Sequence, residues 1–539
     1  MTLRRLGPWL AACAAGALWL ALSPPGANDL AGGDEGYYGT MARNVLASPH
    51  QLISPSLSPL GTPGDKPPLV PLLIAPFVRA WGPGIAAVRA PFAPSAALVA
   101  GGVGALVATA AGPAPALFAS ALLATLPWFA DASRSAAAEI PLTALVTLAL
   151  LVLAAGASEN GRGRELLAGV LIGLAFLCKL WLVAPGALAA AVLVTRRERG
   201  RWHTPALLAV TALAVASLHL AAVAAWAPRD LAHWRYIYLG RSLAERVSGE
   251  GYASYWRLPI GAYWGTLTRA FGLVLPLVAV GVDVAWRRRA EPVPRALLVW
   301  GSGVLLLSLF RVKSGGYAYV VAPAWAGLAA LGLDAIARGV RPSLVPLAAG
   351  ALLTSPLAAL VGGQGLPAAA WAAVWGAGLA LGVIASPPRS WPRLPAEWLF
   401  AAWAVLAVGL GAARSAERLH APYHTPGYQR VAAAMAPRLA GIPPDVPCFV
   451  APETPTFDFH LFRTGLYWGT PNTPWTAERF RALRADQRLR VFVVDPSQTF
   501  YGGWPDSATL VWLERGTHEI TSRLPAGPHG ERPLRVFVR

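Results

Sequence analysis

Long apolar runs separated by short polar stretches make up most of the chain, and their length decides its class. About 20 apolar residues in a helix cross the roughly 30 Å of hydrocarbon in a bilayer. Runs of this kind lie at residues 6–22, 86–110, 115–131, 140–156, 166–178, 182–195, 204–226, 260–285, 295–311, 317–337, 343–361, 367–385 and 396–413, thirteen in all. The pattern predicts an all-α polytopic membrane protein. Residues 69–78 stand apart, because Pro71 and Pro76 interrupt a run that follows directly on Pro67-Pro68. At about half a span, that run predicts a re-entrant or interfacial segment kept on the outer side.

After residue 413 the period changes. Short β-like runs at 446–450, 490–494, 509–513 and 534–538 alternate with a helical stretch at 476–484. They predict a small α/β domain over 414–539, following a transmembrane domain over 1–413 whose first outer loop is 28–68.

Charge orients these elements. Of 45 basic residues only Lys66, Lys179 and Lys313 are lysines, and the formal net charge is +18. Basic residues favour the cytoplasmic side of short loops. With thirteen spans, Arg4-Arg5, Arg162 with Arg164, Arg196 to Arg199, Arg287 to Arg289, Arg338 with Arg341, and Arg389 with Arg393 all fall on one side. A crossing at 69–78 would put the Arg196, Arg287 and Arg338 clusters outside. The N-terminus is therefore expected in the cytoplasm, with the first run an uncleaved helix, and the C-terminal domain on the opposite, extracytoplasmic face. Topology accounts for the basic charge, so no nucleic-acid partner is inferred.

Composition narrows the class further. With 55% hydrophobic and 13% charged residues and a mean hydropathy of +0.48, the chain is neither an ordinary soluble enzyme, at about 25% charged, nor a disordered one. Cys13, Cys178 and Cys448 are too few and too scattered for a disulfide framework or a zinc site. Gly101-Gly102-Val103-Gly104 lies inside an apolar run with no strand before it, which is helix packing and not a nucleotide loop.

Ionisable side chains beside the membrane interior are costly and mark functional candidates. Asp34-Glu35 stands in Gly32-Gly33-Asp34-Glu35-Gly36-Tyr37-Tyr38, where glycines permit close approach of a ligand and tyrosines offer stacking and hydroxyl donors. The same pair would also serve as a solvated acidic turn capping a helix. The three lysines all fall at the extracytoplasmic boundary, and a compact ammonium suits a phosphate. Snorkelling at helix ends is the other reading. In the loop 131–139, Arg134 and Glu139 are either substrate contacts or helix-end charges. The loop 228–259, with His233, Trp234, Arg235, Tyr236, Tyr238, Arg241 and Arg246, reads mainly as an interfacial anchor against membrane lipids.

In order and sidedness, four motifs resemble the polyprenyl-phosphate-dependent glycosyltransferases of the GT-C fold. They are Asp34-Glu35, Lys66-Pro67-Pro68-Leu69, Gly173 to Lys179, and Lys313 followed by Tyr317, Tyr319 and Pro323. The pattern is similar to the aminoarabinose transferases of lipid A and to bacterial dolichyl-phosphate-mannose-protein mannosyltransferase-like proteins. That resemblance implies thirteen helices, a periplasmic C-terminal domain and residence in the bacterial inner membrane. It also implies transfer of a sugar, with inversion, from a polyprenyl phosphate, undecaprenyl phosphate being the expected carrier, to a lipid, glycan or protein acceptor.

Residue by residue, the resemblance makes Asp34 the catalytic carboxylate and Lys66 the donor-phosphate lysine, with Lys179 and Lys313 as further phosphate contacts. Asp65 stands where the family often has Glu beside a divalent metal ion, and Tyr38 matches the loop's aromatic. Glu35, Tyr38, Arg134, Glu139 and Tyr317 are expected substrate contacts. The chain departs from the family at Tyr37-Tyr38, where Arg-Tyr is usual, and at Glu139, where Asp is usual. The competing reading is a transporter or lipid flippase, and against it the charges gather at one face and no transporter-type internal repeat stands out.

Overall fold

The computed structural model describes residues 34–57, 63–155, 162–195, 203–248, 262–311, 315–340, 402, 405–415, 428–443, 446–451, 454–461, 463, 465–467, 477–494, 507–523 and 534–539. The expected spans at 6–22, 343–361 and 367–385, and Lys313, lie outside the described residues. The described residues form two compact units, one within Phe92–His219 and Tyr238–His420, the other within Pro25–Pro91, Leu220–Ile237 and Ala421–Arg539.

Apolar helices build the first unit. Among the described residues of the whole chain, Ile85–Ala111, Arg162–Val194 and His203–Trp226 are long and apolar enough to cross a membrane, and Pro113–Thr125 with Pro127–Ser133 makes a fourth if that pair, bent by 69°, is one span. Several expected spans are broken, each at an identifiable residue. Leu126 is extended, as the residue before Pro127 must be, and the 115–131 run bends there. Gly272 takes φ +44° and divides the 260–285 run into Ala262–Phe271 and Leu275–Arg287. The 317–337 run begins as a 3₁₀ turn, Gly315–Val320, and becomes α-helical only at Ala322–Ala337.

The stretch from Arg162 to Val194 is helical throughout, yet the chain turns back within it. Leu180 takes φ +52°, alone among the described non-glycine residues in having a positive φ. The ammonium of Lys179 reaches Glu139, the first residue of the Glu139–Ala155 helix. Gly186 packs against Val146, seven residues further along that helix. A straight continuation past Lys179 would carry Gly186 beyond the end of its neighbour. The 3₁₀ turn Leu180–Val183 therefore reverses the chain, and Ala184–Thr195 returns along it.

In the second unit, the Asp34–Val45 helix opens with two acids, favourable at the positive end of a helix. Its buried residues include Glu35, Tyr38, Met41, Ala42 and Val45, the spacing of one helical face. Leu69–Trp81 follows the Lys-Pro-Pro turn as a helix of 13 residues, about 20 Å long and too short to cross a bilayer.

The C-terminal part of this unit is a five-stranded sheet in the order β2-β1-β3-β5-β4, with β1 Phe449–Ala451, β2 Gly465–Tyr467, β3 Val491–Val494, β4 His518–Glu519 and β5 Arg535–Val538. β2, β1 and β3 are parallel, whereas β5 is antiparallel to β3 and β4. Phe449, Val491 and Val493 face a core with Phe457, and Val450, Phe492 and Val494 face a second with Leu483 and Leu513. Covered on both faces, the central strands read as continuous apolar runs. The run 509–513, expected as a strand, is instead part of the helix Ser507–Gly516. Its buried residues Thr509 and Leu513 are four apart, a helical spacing that the β-branched Thr and Val concealed.

Candidate functional site

The N-terminal turn of the Asp34–Val45 helix and the turn before Leu69–Trp81 come together. The Asp34 carboxylate lies 2.9 Å from the Lys66 ammonium, and that ammonium also sits 5.6 Å from the centre of the Tyr37 ring. The Tyr37 hydroxyl accepts the Asp65 backbone N–H at 2.8 Å. The loop is braced from within: Asn44 donates to the Ser56 carbonyl, and Gln51 exchanges hydrogen bonds with Ser56.

Glu35, one residue on, has a different environment. Arg89 grips its carboxylate through two bonds of 2.9 and 2.7 Å. The Glu35 side chain is 4% exposed, against 43% for Asp34. An exposed pair is worth about 0–1 kcal/mol, so Asp34 can exchange Lys66 for another partner at little cost. Removing one member of a buried pair costs about 3–5 kcal/mol, so Glu35 is held in place. Of the two expected carboxylates, Asp34 is the exposed one and Glu35 braces the helix. Tyr38 is fully buried, and it is Tyr37 that lies against Lys66.

The opposite side of the helix meets the C-terminal sheet's flank. Gly36 abuts Thr456 and Gly39 abuts the Phe459 ring, both on the helix Thr454–Leu461. A Cβ at Gly36 would collide with the Thr456 backbone, so only glycine permits this approach. Arg43 donates to the Asp458 carbonyl at 2.6 Å. Burial draws the Arg43 guanidinium down to about 10, with Asp458 opposing. Burial also pushes the Asp458 carboxyl well above its usual range, against the Gly465 N–H it accepts and the Arg43 charge.

The segment 228–235 is also bonded to the loop. His50 lies 3.3 Å from Asp230, Trp234 donates to the Ser54 hydroxyl at 3.0 Å, and a ring nitrogen of His233 lies 3.0 Å from the Gly64 carbonyl oxygen. These side chains are thus structural fasteners in addition to any interfacial role.

Within the first unit a second cluster forms. Lys179 pairs with Glu139 at 2.8 Å, with the Glu139 side chain 5% exposed. Tyr317 carries two cations against its ring, Lys179 at 5.5 Å and Arg246 at 4.9 Å. Trp128 stacks on Tyr319 at 3.6 Å. Arg134, half-buried, ends the Pro127–Ser133 helix, its backbone N–H bonded to the Asp131 carbonyl. No three His, Cys, Asp or Glu side chains gather to hold a metal ion among the described residues.

Sequence reasoning missed Arg89, the contacts of Tyr37 with Lys66 and Asp65, and the fastening role of His233. Each acts on a partner far along the chain, 54 residues for Arg89 and Glu35 and 169 for His233 and Gly64, and local pattern carries no signal for such pairs.

Residues 65–226 match the family model described as dolichyl-phosphate-mannose-protein mannosyltransferase. The structure is similar to that of ArnT from Cupriavidus metallidurans over 98% of this chain and 97% of that one, with TM-score 0.63. Sequence identity is 18% to ArnT bound to undecaprenyl phosphate and 19% to its apo state. It is also similar, at TM-score 0.61 and 13% identity, to the archaeal oligosaccharyltransferase AglB from Archaeoglobus fulgidus in complex with an inhibitory peptide and a dolichol-phosphate, over 92% of this chain and 70% of that one. No curated protein matches in sequence. At these identities the likeness is one of fold: the chain is a multi-pass membrane protein with the GT-C fold and a C-terminal α/β part.

Proposed function

We propose that the chain is an inverting glycosyltransferase of the bacterial inner membrane. It moves a sugar from a polyprenyl phosphate, undecaprenyl phosphate in the first instance, to an extracytoplasmic acceptor such as lipid A, another envelope glycan or a protein. What carries the reading is the half-exposed Asp34 carboxylate 2.9 Å from Lys66, on a Lys-Pro-Pro turn in a chain with the GT-C fold. A transfer of this kind needs one group that handles the acceptor and another that takes up charge on the leaving phosphate.

For a hydroxyl acceptor, Asp34 takes the proton as the acceptor oxygen bonds to the anomeric carbon. The bond from that carbon to the phosphate oxygen breaks, and the donor leaves as polyprenyl phosphate. Lys66 stabilises the charge on the departing phosphate. For a phosphate acceptor no proton is removed, and Asp34 orients the acceptor or stabilises positive charge at the sugar carbon. We assign Lys179 and Lys313 to the donor phosphate, and Glu139, Arg134 and Tyr317 to the substrates. Glu35 and Tyr38, buried as they are, support the loop and so act on the substrate through it. No step is routed through a metal.

The protein purified in detergent and given an undecaprenyl-phosphate-linked sugar should release undecaprenyl phosphate and glycosylate an added acceptor with no gradient present. A transporter or flippase would turn over no donor under these conditions, and that result would overturn the proposal. Mass spectrometry of lipid A, envelope glycans and periplasmic proteins, with and without the gene, then identifies the acceptor.

A further inference from the structure

One peptide group, between Gly64 and Asp65, is held at both of its polar atoms. Its N–H donates to the Tyr37 hydroxyl at 2.8 Å. Its carbonyl oxygen lies 3.0 Å from Nε2 of His233. A carbonyl oxygen only accepts, so that ring nitrogen carries the proton and donates. The preceding N–H, that of Gly64, donates to the Pro55 carbonyl at 2.7 Å. A Cβ at Gly64 would press on the Met41 side chain and on the Pro55 carbonyl, so the turn is also closely packed.

Lys66 is the next residue but one after Gly64, and the orientation of this peptide sets where its stem leaves the backbone. Two soft dihedrals per residue are otherwise free to move it. His233 is itself fixed. It lies on the short helix Leu231–Arg235, whose fully buried Trp234 is bonded to the Ser54 hydroxyl, and Asp230 beside that helix pairs with His50. The His233 donor therefore comes from a segment anchored at two other points, and it reaches a turn 169 residues away in sequence.

We infer that His233 is a positioning residue for Lys66: by donating to the Gly64 carbonyl, against the Tyr37 hydroxyl on the other edge of the same peptide, it holds the Lys66 ammonium where it meets Asp34. His233 touches neither substrate nor the reacting atoms. Its effect passes through the peptide it bonds, and the catalytic part of the inference rests on the glycosyltransferase reading above.

The test uses the full-length protein in detergent and two readouts. One is the rate at which Lys66 is acetylated by an amine-reactive ester, read by mass spectrometry relative to Lys179. The other is donor turnover. His233→Leu removes the donor, His233→Gln keeps an N–H at a similar reach, and Tyr37→Phe removes the acceptor on the opposite edge of the peptide.

With one hydrogen bond lost, His233→Leu and Tyr37→Phe should each speed Lys66 acetylation and raise KM for the donor by about three- to tenfold. kcat should fall less, and His233→Gln should stay within about twofold of the parent. The inference is overturned if Lys66 acetylation in His233→Leu equals that of the parent, or if His233→Gln behaves like His233→Leu. If His233→Leu does not fold, Tyr37→Phe against the parent decides on the same readouts. Acetylation needs no turnover, so a failed transfer assay with a clear acetylation difference removes the glycosyltransferase reading alone. An active parent with unchanged Lys66 labelling removes the positioning role alone.

Discussion

Asp34 and Glu35 are chemically near-equivalent neighbours, and burial gives them different work. The first turn of a helix favours both charges, but one is half-exposed beside a lysine and the other is held by a bidentate arginine in the interior. Asp34→Asn should leave the thermal unfolding temperature close to that of the parent and abolish sugar transfer; wild-type turnover in this variant would remove Asp34 from the mechanism. Glu35→Ala leaves Arg89 buried and unpaired, so it should lose about 3–5 kcal/mol of stability, read as a large drop in unfolding temperature in detergent. Sequence marked the Asp-Glu pair and all three lysines as candidates, because such charges beside apolar runs are rare. It ranked Tyr38 above Tyr37, since alternation along a helix decides which tyrosine faces inward, and the start of that helix at Asp34 was not on view. Arg89 could not be read at all: its partner is 54 residues away.

Helix packing in the second unit explains why the C-terminal part matters to the first outer loop. The Asp34–Val45 helix lies against Thr454–Leu461 through Gly36 and Gly39, and Arg43 is bonded to the Asp458 carbonyl. Asp458 is fully desolvated there, which favours its neutral form. A carboxyl whose folded pKa is raised contributes most to stability below its ordinary value, about 3.9, and that contribution is lost as pH rises through the folded value. Unfolding temperature should accordingly fall as pH rises from about 4 toward the raised folded value, and Asp458→Asn, which cannot ionise, should flatten that slope. An equal slope in the variant would place the dependence elsewhere. Arg43, drawn down only to about 10, stays charged through this window. At this scale the sequence was a fair guide to β1, β3 and β5, whose apolar runs are continuous. It failed at Ser507–Gly516, where the β-branched Thr509 and Val511 fall within a helix, and it gave no sign of the short strands β2 and β4.

Across the whole molecule the apolar pattern announced a polytopic protein, and four motifs carried the GT-C resemblance, but neither showed every place where a helix breaks. Pro127 and Gly272 interrupt runs that hydropathy reads as uniform, because a turn inside an apolar stretch changes no side chain's polarity, whereas the turn at Leu180 falls between the expected spans 166–178 and 182–195. The turn at Leu180 also bears on sidedness: Arg162–Lys179 and Ala184–Thr195 run in opposite directions, as two separate expected spans at 166–178 and 182–195 require. The expected orientation rests on the parity of the basic clusters. An outer-leaflet donor phosphate requires the loop containing Lys66 to face away from the cytosol, on the side opposite Arg287 to Arg289. In spheroplasts of a strain carrying a background without Cys13, Cys178 and Cys448, a membrane-impermeant maleimide should label His50→Cys, at an exposed position in that loop, and should label Arg289→Cys only after permeabilisation. The reverse pattern would put Asp34 and Lys66 in the cytosol, where acceptors of the outer leaflet are out of reach, and the transfer reaction assigned to them could not take place.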